Sequence, residues 1–208
     1  MIKRLAGRMA WMSALAGVVL LAVPFAFGHF WQTSSIPSGG MLPTYPVGKT
    51  VVFTMVDGSE VRRGDVVLAH APWFPSGPDT VVKRVVALGG DHVSQRPGGP
   101  VMLNGVALQE PYLKDRPDSG IKPFDVTVPP GRMFLLGDNR NDSLDSRFHQ
   151  EEPGSGTLPV DAAFARDQHF PLWGSLAALG AGVVSIPVLL LATVLTVVAL
   201  ILRRRRTG

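Results

Sequence analysis

The sequence predicts a mostly β domain held between two membrane-spanning helices. Three observations carry that reading: two long uncharged apolar stretches, basic clusters at both outer ends, and a middle of short β-branched runs cut by glycine and proline. The 208 residues leave room for one ordinary domain beside the spans. Hydrophobic residues make up 46% and charged residues 17%, too apolar for a disordered chain or a purely soluble domain. Cysteine is absent, which removes disulfides, thiol catalysis and cysteine metal sites.

Residues 1–8 hold Lys3, Arg4 and Arg8. Met9–Phe27 then runs 19 residues without a charge, enough helix to cross the ~30 Å hydrocarbon core, and the first span is placed at 9–30. A cleaved leader is the rival reading, since Ala26-Phe27-Gly28 is small-x-small, although its apolar core exceeds the ~7–15 residues usual there. At the other end Phe170–Leu202 is uncharged. Gly180, Gly182 and Pro187 place the clean crossing of this segment, 171–202, in its later part. Arg203, Arg204, Arg205 and Arg206 follow in a basic tail, 203–208. The positive-inside rule puts both termini in the cytoplasm and residues 31–170 outside the cell membrane.

Those seven terminal cations account for more than the net charge of +4, leaving −3 for the middle, where all 16 acids lie. A mildly acidic middle has no basic face for phosphates, so nucleic acid is excluded as a partner and membrane lipid is expected. Six strands are predicted there: Thr50–Phe53, Asp65–Leu68, Thr80–Val86, Val101–Leu103, Asp125–Val128 and Met133–Leu136. Pro97-Gly98-Gly99-Pro100, Asn104-Gly105 and Pro129-Pro130-Gly131 are turn signals between them. Trp73-Phe74, between prolines, reads either as an interfacial dip or as a buried turn.

Three clusters have the composition of a chemical site, and each has a plainer alternative. In Ile36-Pro37-Ser38-Gly39-Gly40-Met41-Leu42-Pro43-Thr44, prolines hold the edges of a loop and glycines free its centre to aim a side chain or backbone N–H groups at a carbonyl. A linker has the same composition. In the strand around Lys83, Val81, Lys83 and Val85 share one face, so the lysine either snorkels at an edge or is desolvated into a usable base. In Gly137-Asp138-Asn139-Arg140-Asn141-Asp142-Ser143-Leu144-Asp145-Ser146-Arg147, dense polarity after an apolar strand reads as a hydrogen-bonded network or a solvated loop. Its spacing lacks the terminal Glu of a calcium loop, and the five histidines are scattered spectators without ligand spacing, so neither metal nor cofactor is expected.

Taken in order, these clusters resemble the bacterial type I signal peptidases, or leader peptidases. The matching residues are Pro37-Ser38-x-x-Met41-x-Pro43-Thr44, Gly64-Asp65-Val66-Val67, Lys83-Arg84-Val85 with Gly90-Asp91, Asn104-Gly105, Glu110-Pro111-Tyr112-Leu113 and Gly137-Asp138-Asn139-Arg140-x-x-Ser143-x-Asp145-Ser146-Arg147. The resemblance implies a β-rich domain at the membrane that cleaves signal peptides of preproteins after small residues. It makes Lys83 the general base, Ser143 the hydroxyl that orients it, and Ser38 a contributor to the oxyanion hole. Ile36, Met41 and Val82 would bind substrate. Asp138, Asn139, Arg140, Asp145, Ser146 and Arg147 would form a structural network, with Asp145 and Arg147 paired.

One departure outweighs these agreements. In the family the residue before this methionine is the nucleophilic serine, and here it is Gly40. No acyl-enzyme forms on a glycine, and Lys83 has no hydroxyl there to activate. The expectation is a silent or impaired homologue that still binds signal peptides, with an active signal peptidase as a further candidate partner. The alternative is an active enzyme using Ser38 or a Lys83-activated water; Ser38 lies ~6–7 Å away in an extended segment. A second departure is Ala163-Phe164-Ala165-Arg166, which lacks the family's usual glycine-basic pair after Gly156-Thr157-Leu158-Pro159.

Overall fold

The computed structural model describes residues 30–73, 79–114 and 122–167. All but Phe30 belong to one unit, Trp31–Gln168. Eleven strands run in chain order: β1 (Trp31–Ser35), β2 (Thr50–Met55), β3 (Val66–His70), β4 (Thr80–Leu88), β5 (His92–Gln95), β6 (Val101–Leu103), β7 (Val106–Ala107), β8 (Phe124–Thr127), β9 (Arg132–Leu136), β10 (Leu158–Pro159) and β11 (Ala163–Arg166). They form a seven-stranded sheet, β1-β2-β11-β3-β4-β9-β10, and a four-stranded sheet, β7-β6-β5-β8. Every pairing is antiparallel. The domain is mostly β, as expected.

All six expected strands are present, with ends shifted by up to two residues. The Asn104-Gly105 signal forms the two-residue link between β6 and β7, both residues at positive φ (52° and 81°), as a tight hairpin turn requires. The expected spans, 9–30 and 171–202, and both basic tails lie outside the described residues, Phe30 apart. No helix among the described residues is long and apolar enough to cross a membrane.

The core explains why β3 reads as an apolar run and β4 as one broken only by Lys83-Arg84. Val67 and Ala69 of β3 pack with Val81, Val85 and Leu135 on one face of the sheet. Val66 and Leu68 pack on the other with Ile36, Phe53 and Val82. A central strand covered on both sides favours hydrophobic residues on both faces, and each buried apolar side chain contributes roughly 1.5–3 kcal/mol. The four-stranded sheet supplies Val93, Val101 and Val126 to a third cluster with Val86, Phe134 and Leu136. Trp73 takes the buried option, its ring stacked on His149 at 4.8 Å.

Register then sets the position of the polar cluster. Arg84 lies opposite Val66 on β3 and Leu136 on β9. The chain leaving β9 after Leu136 therefore emerges beside the Lys83-Arg84 pair, and the run from Gly137 to Arg147 folds there.

Candidate active site

The glycine loop is anchored before it reaches the site. Ile36 donates its N–H to Lys49 O at 3.0 Å and accepts from Gly48 N at 2.9 Å. The chain turns through a single 3₁₀ turn, Gly39–Met41, and Tyr45 N–H closes back on Met41 O at 2.9 Å. Asn139 holds the centre of this loop with two donors: its side-chain amide to Gly39 O and its backbone N–H to Gly40 O, both at 3.0 Å. Thr44 Oγ1 donates to Asp138 Oδ2. Tyr45 donates a hydrogen bond from its hydroxyl to Asp167 Oδ2, and burial together with that carboxylate raises its pKa far above the ordinary phenol.

Gly40 is buried, and its φ lies outside the left-handed region that favours glycine. Nothing in its backbone demands the absence of a side chain. A Cβ at this position would stand 3.2 Å from Lys83 Nζ, 3.4 Å from Asp142 O and 3.5 Å from Ser143 Oγ. The nearest of these atoms is the end of a flexible side chain. Position 40 thus faces an amine and a hydroxyl across a gap that one small polar side chain would fill.

Lys83 is 7% exposed and donates to Ser143 Oγ at 3.1 Å. The described ion pairs join carboxylates to Arg63, Arg84, Arg140, Arg147, Arg166, Lys122, His92 and His149, and Lys83 is in none of them. Burial pushes its pKa below the ordinary lysine value. The Asp145 charge opposes that shift and the Arg147 charge adds to it. A desolvated amine with one neutral hydrogen-bond partner is equipped to accept a proton.

Around this pair the network is dense. Arg84 grips Asp138 with two hydrogen bonds, at 2.8 and 2.6 Å, donates to Gly64 O at 2.8 Å and lies 3.9 Å over the Tyr112 ring. Arg140 pairs with Glu110 and donates to Gly137 O at 2.9 Å. Arg147 clasps Asp145 at 2.7 and 2.8 Å and reaches the carbonyls of Arg140 and Ser143. Asp145 also accepts Gly137 N–H at 3.0 Å, and Ser146 Oγ accepts Leu135 N–H at 2.9 Å. These paired side chains fix the loop that presents Ser143.

Gly137 is needed for closeness. A Cβ there would lie 2.1 Å from Ser143 Oγ and 2.5 Å from Gly40 O, so any side chain would drive the two loops apart. Sequence reasoning did not single out Gly137 for this, nor Asn139 as the clamp on the glycine loop. Ile36, Met41 and Val82 come together in one buried apolar cluster beside Gly40. Ser38 is exposed and its hydroxyl makes no capping bond to the 3₁₀ turn. His149 is buried rather than at the surface, stacked on Trp73 and bonded to Glu152 at 2.6 Å. Among the described residues no three His, Asp or Glu side chains stand close enough to hold a metal ion.

Residues 8–173 match the family described as signal peptidase, peptidase S26. The chain is 38% identical over 120 residues to signal peptidase I of Leptolyngbya laminosa, covering 54% of this chain and 58% of that one. It is 39% identical over 114 residues to signal peptidase I of Mycobacterium tuberculosis, covering 48% and 39%. Against probable signal peptidase I-1 of Synechocystis sp. it is 37% identical over 152 residues, covering 69% and 74%. The chain therefore spans about half the length of the first two relatives. Among solved structures it is similar to a signal peptidase I from Enterococcus faecalis V583, with a TM-score of 0.41, 27% identity and coverage of 51% of this chain and 96% of that chain.

Proposed function

Because the chain belongs to the signal peptidase family of peptidase S26, we propose that its site binds signal peptides of preproteins but does not cleave them, Gly40 standing where the nucleophilic serine belongs. The observation that carries this reading is the vacant Cβ position of Gly40, 3.2 Å from the amine of Lys83 and 3.5 Å from the hydroxyl of Ser143. In an active member that position would hold the attacking oxygen. Lys83 would take its proton as general base, and Ser143 would orient the amine. Ser38 would contribute to the oxyanion hole, and Ile36, Met41 and Val82 would form the apolar floor for small side chains.

With the nucleophile gone, the binding surface and the base remain, and such remnants support only a small residual acceleration. The protein then acts as a signal-peptide-binding homologue of the cell membrane, anchored by spans at 9–30 and 171–202, with the β domain outside. An active signal peptidase working on the same preproteins is its natural partner.

The test is to mix the full chain with a fluorescent preprotein and follow binding and cleavage together. The expected result is a saturable complex with the preprotein intact. Turnover by the wild type that Ser38→Ala abolishes would overturn the reading, because it would place a working hydroxyl two residues from the vacancy.

A further inference from the structure

Glu110-Pro111-Tyr112-Leu113 lies in the segment that leaves β7 and belongs to neither sheet, yet it touches both arginines that hold the loops of the site. We propose that Glu110 is a positioning residue of that site. From the side of the four-stranded sheet it fixes Arg140 directly and Arg84 through Tyr112, and so keeps the loop that presents Ser143 in register with the loop that carries Gly40. The inference rests on the reading of this site as one that binds signal peptides, and deepens it.

Two lines of contact start at the Glu110 carboxylate. In the first, its two oxygens accept the two terminal nitrogens of Arg140. Arg140 donates Nε–H to Gly137 O at 2.9 Å, and its own carbonyl accepts from Arg147 at 3.0 Å. Gly137 is where the two loops come closest, since a Cβ there would stand 2.1 Å from Ser143 Oγ and 2.5 Å from Gly40 O. In the second line, the Tyr112 hydroxyl donates to Glu110 Oε1 at 2.9 Å, and the Tyr112 ring lies 3.9 Å from the Arg84 guanidinium. Arg84 grips Asp138, which also accepts from Thr44 of the glycine loop. The two lines thus end on Gly137 and Asp138, the residues just before the Asn139 clamp on Gly39 and Gly40.

Burial makes the carboxylate hard to replace. The Arg140 and Glu110 side chains are 1% and 5% exposed, so water is poorly placed to substitute for either charge. A two-pronged arginine–carboxylate pair fixes an orientation as well as a distance. The arm that bears Glu110 is itself held: Leu108 N–H donates to Val101 O at 2.8 Å, the Leu108 side chain packs on the third core cluster, and Leu113 N–H closes on Glu110 O at 3.3 Å. The four-stranded sheet thereby takes part in setting the geometry of the site.

The experiment measures hydrogen exchange of the full chain amide by amide, in wild type, Glu110→Gln and Tyr112→Phe. Glu110→Gln keeps the shape of the side chain and removes its charge. Asn139 N–H, bonded to Gly40 O, and Gly137 N–H, bonded to Asp145, are expected to exchange at least about tenfold faster, the scale of one lost charge-assisted bond. Val56 N–H, bonded to Phe164 O, and Val128 N–H, bonded to Asp91 O, are expected to stay within about twofold of wild type. Tyr112→Phe keeps the ring over Arg84 and loses only the hydroxyl, so the same two site amides are expected to speed up by about threefold. Unchanged exchange at Asn139 in either folded variant overturns the proposal. Equal acceleration at all four amides also overturns it, because Glu110 would then support overall stability alone. If wild type binds a fluorescent preprotein, Glu110→Gln is expected to bind it about tenfold more weakly, and unchanged affinity overturns the proposal. The two readings fail separately. Site amides loosened by Glu110→Gln, with no preprotein bound by wild type, remove the function proposed above and keep this one. Preprotein bound by wild type, with those amides unmoved in Glu110→Gln, does the reverse.

Discussion

Lys83 and Arg84 are neighbours on β4 and almost equally hidden, at 7% and 8% exposure, yet the fold treats their charges in opposite ways. Strand alternation sends them to opposite faces. Arg84 meets a bidentate carboxylate, a backbone carbonyl and an aromatic ring. Burial alone would lower its pKa, but the hydrogen bonds and charge of Asp138 more than offset this and raise it. Lys83 meets one hydroxyl, and burial leaves its pKa lowered. One buried cation is committed to holding the loops together, and the other has a hydroxyl and no carboxylate for a partner.

The comparison breaks most visibly on the Arg84 side. Asp138→Ala strips the guanidinium of its carboxylate and Thr44 of its acceptor. Leaving one member of a buried pair unpaired costs about 3–5 kcal/mol, read as a lower denaturation midpoint. A loss below about 1 kcal/mol would mean that Arg84 is not the structural member of the two. Next is Gly137→Ala, whose methyl would sit 2.1 Å from Ser143 Oγ. Overpacking of this kind costs about 1–3 kcal/mol, and the same variant should weaken preprotein binding because Gly40 O must also move.

Lys83 sharpens the comparison through pH. Its folded pKa lies below the unfolded one, so between the two values the unfolded chain binds more protons and stability rises with pH. The slope for one proton is up to about 1.4 kcal/mol per pH unit, complete only above the ordinary 10.5. Lys83→Met removes this contribution. The variant should be more stable than wild type at pH 6, with an advantage that shrinks toward pH 10, measured by urea denaturation at each pH. A constant difference across that range would mean that Lys83 titrates alike in both states. Smallest of all, Gly40→Ala should change stability by less than about 1 kcal/mol, since the added carbon comes closest to the movable end of Lys83, at 3.2 Å, and reaches Asp142 O and Ser143 Oγ only at 3.4 and 3.5 Å.

Much of this frame is legible in the residues. The β3 and β4 runs, the Asn104-Gly105 turn and the three clusters appear in the chain as composition and spacing. The strands that escaped notice are of a different kind. Trp31-Gln32-Thr33-Ser34-Ser35 and His92-Val93-Ser94-Gln95 are mostly polar, and Ala163-Phe164-Ala165-Arg166 is half alanine, so their places depend on the partner strand more than on their own propensity. Leu158-Pro159 and Val106-Ala107 are too short to show a period. In the site, the Lys83 and Ser143 pairing followed from resemblance. The Asn139 clamp did not, because its two bonds end on backbone carbonyls that every residue carries. Apart from the Asp145–Arg147 pair, which the resemblance implied, which arginine meets which acid was equally hidden: Arg84 reaches 54 positions to Asp138, and Arg140 reaches 30 back to Glu110.

The central claim is that this site is complete apart from one oxygen atom. Turnover of a preprotein by Gly40→Ser, set beside wild type and the double variant Gly40→Ser with Lys83→Ala, tests it most directly. The account predicts no turnover in wild type, a gain of at least about 10²-fold in Gly40→Ser, and its loss in the double variant, the scale on which a positioned base contributes. Wild-type turnover equal to that of Gly40→Ser, or a gain that survives the loss of Lys83, would contradict it.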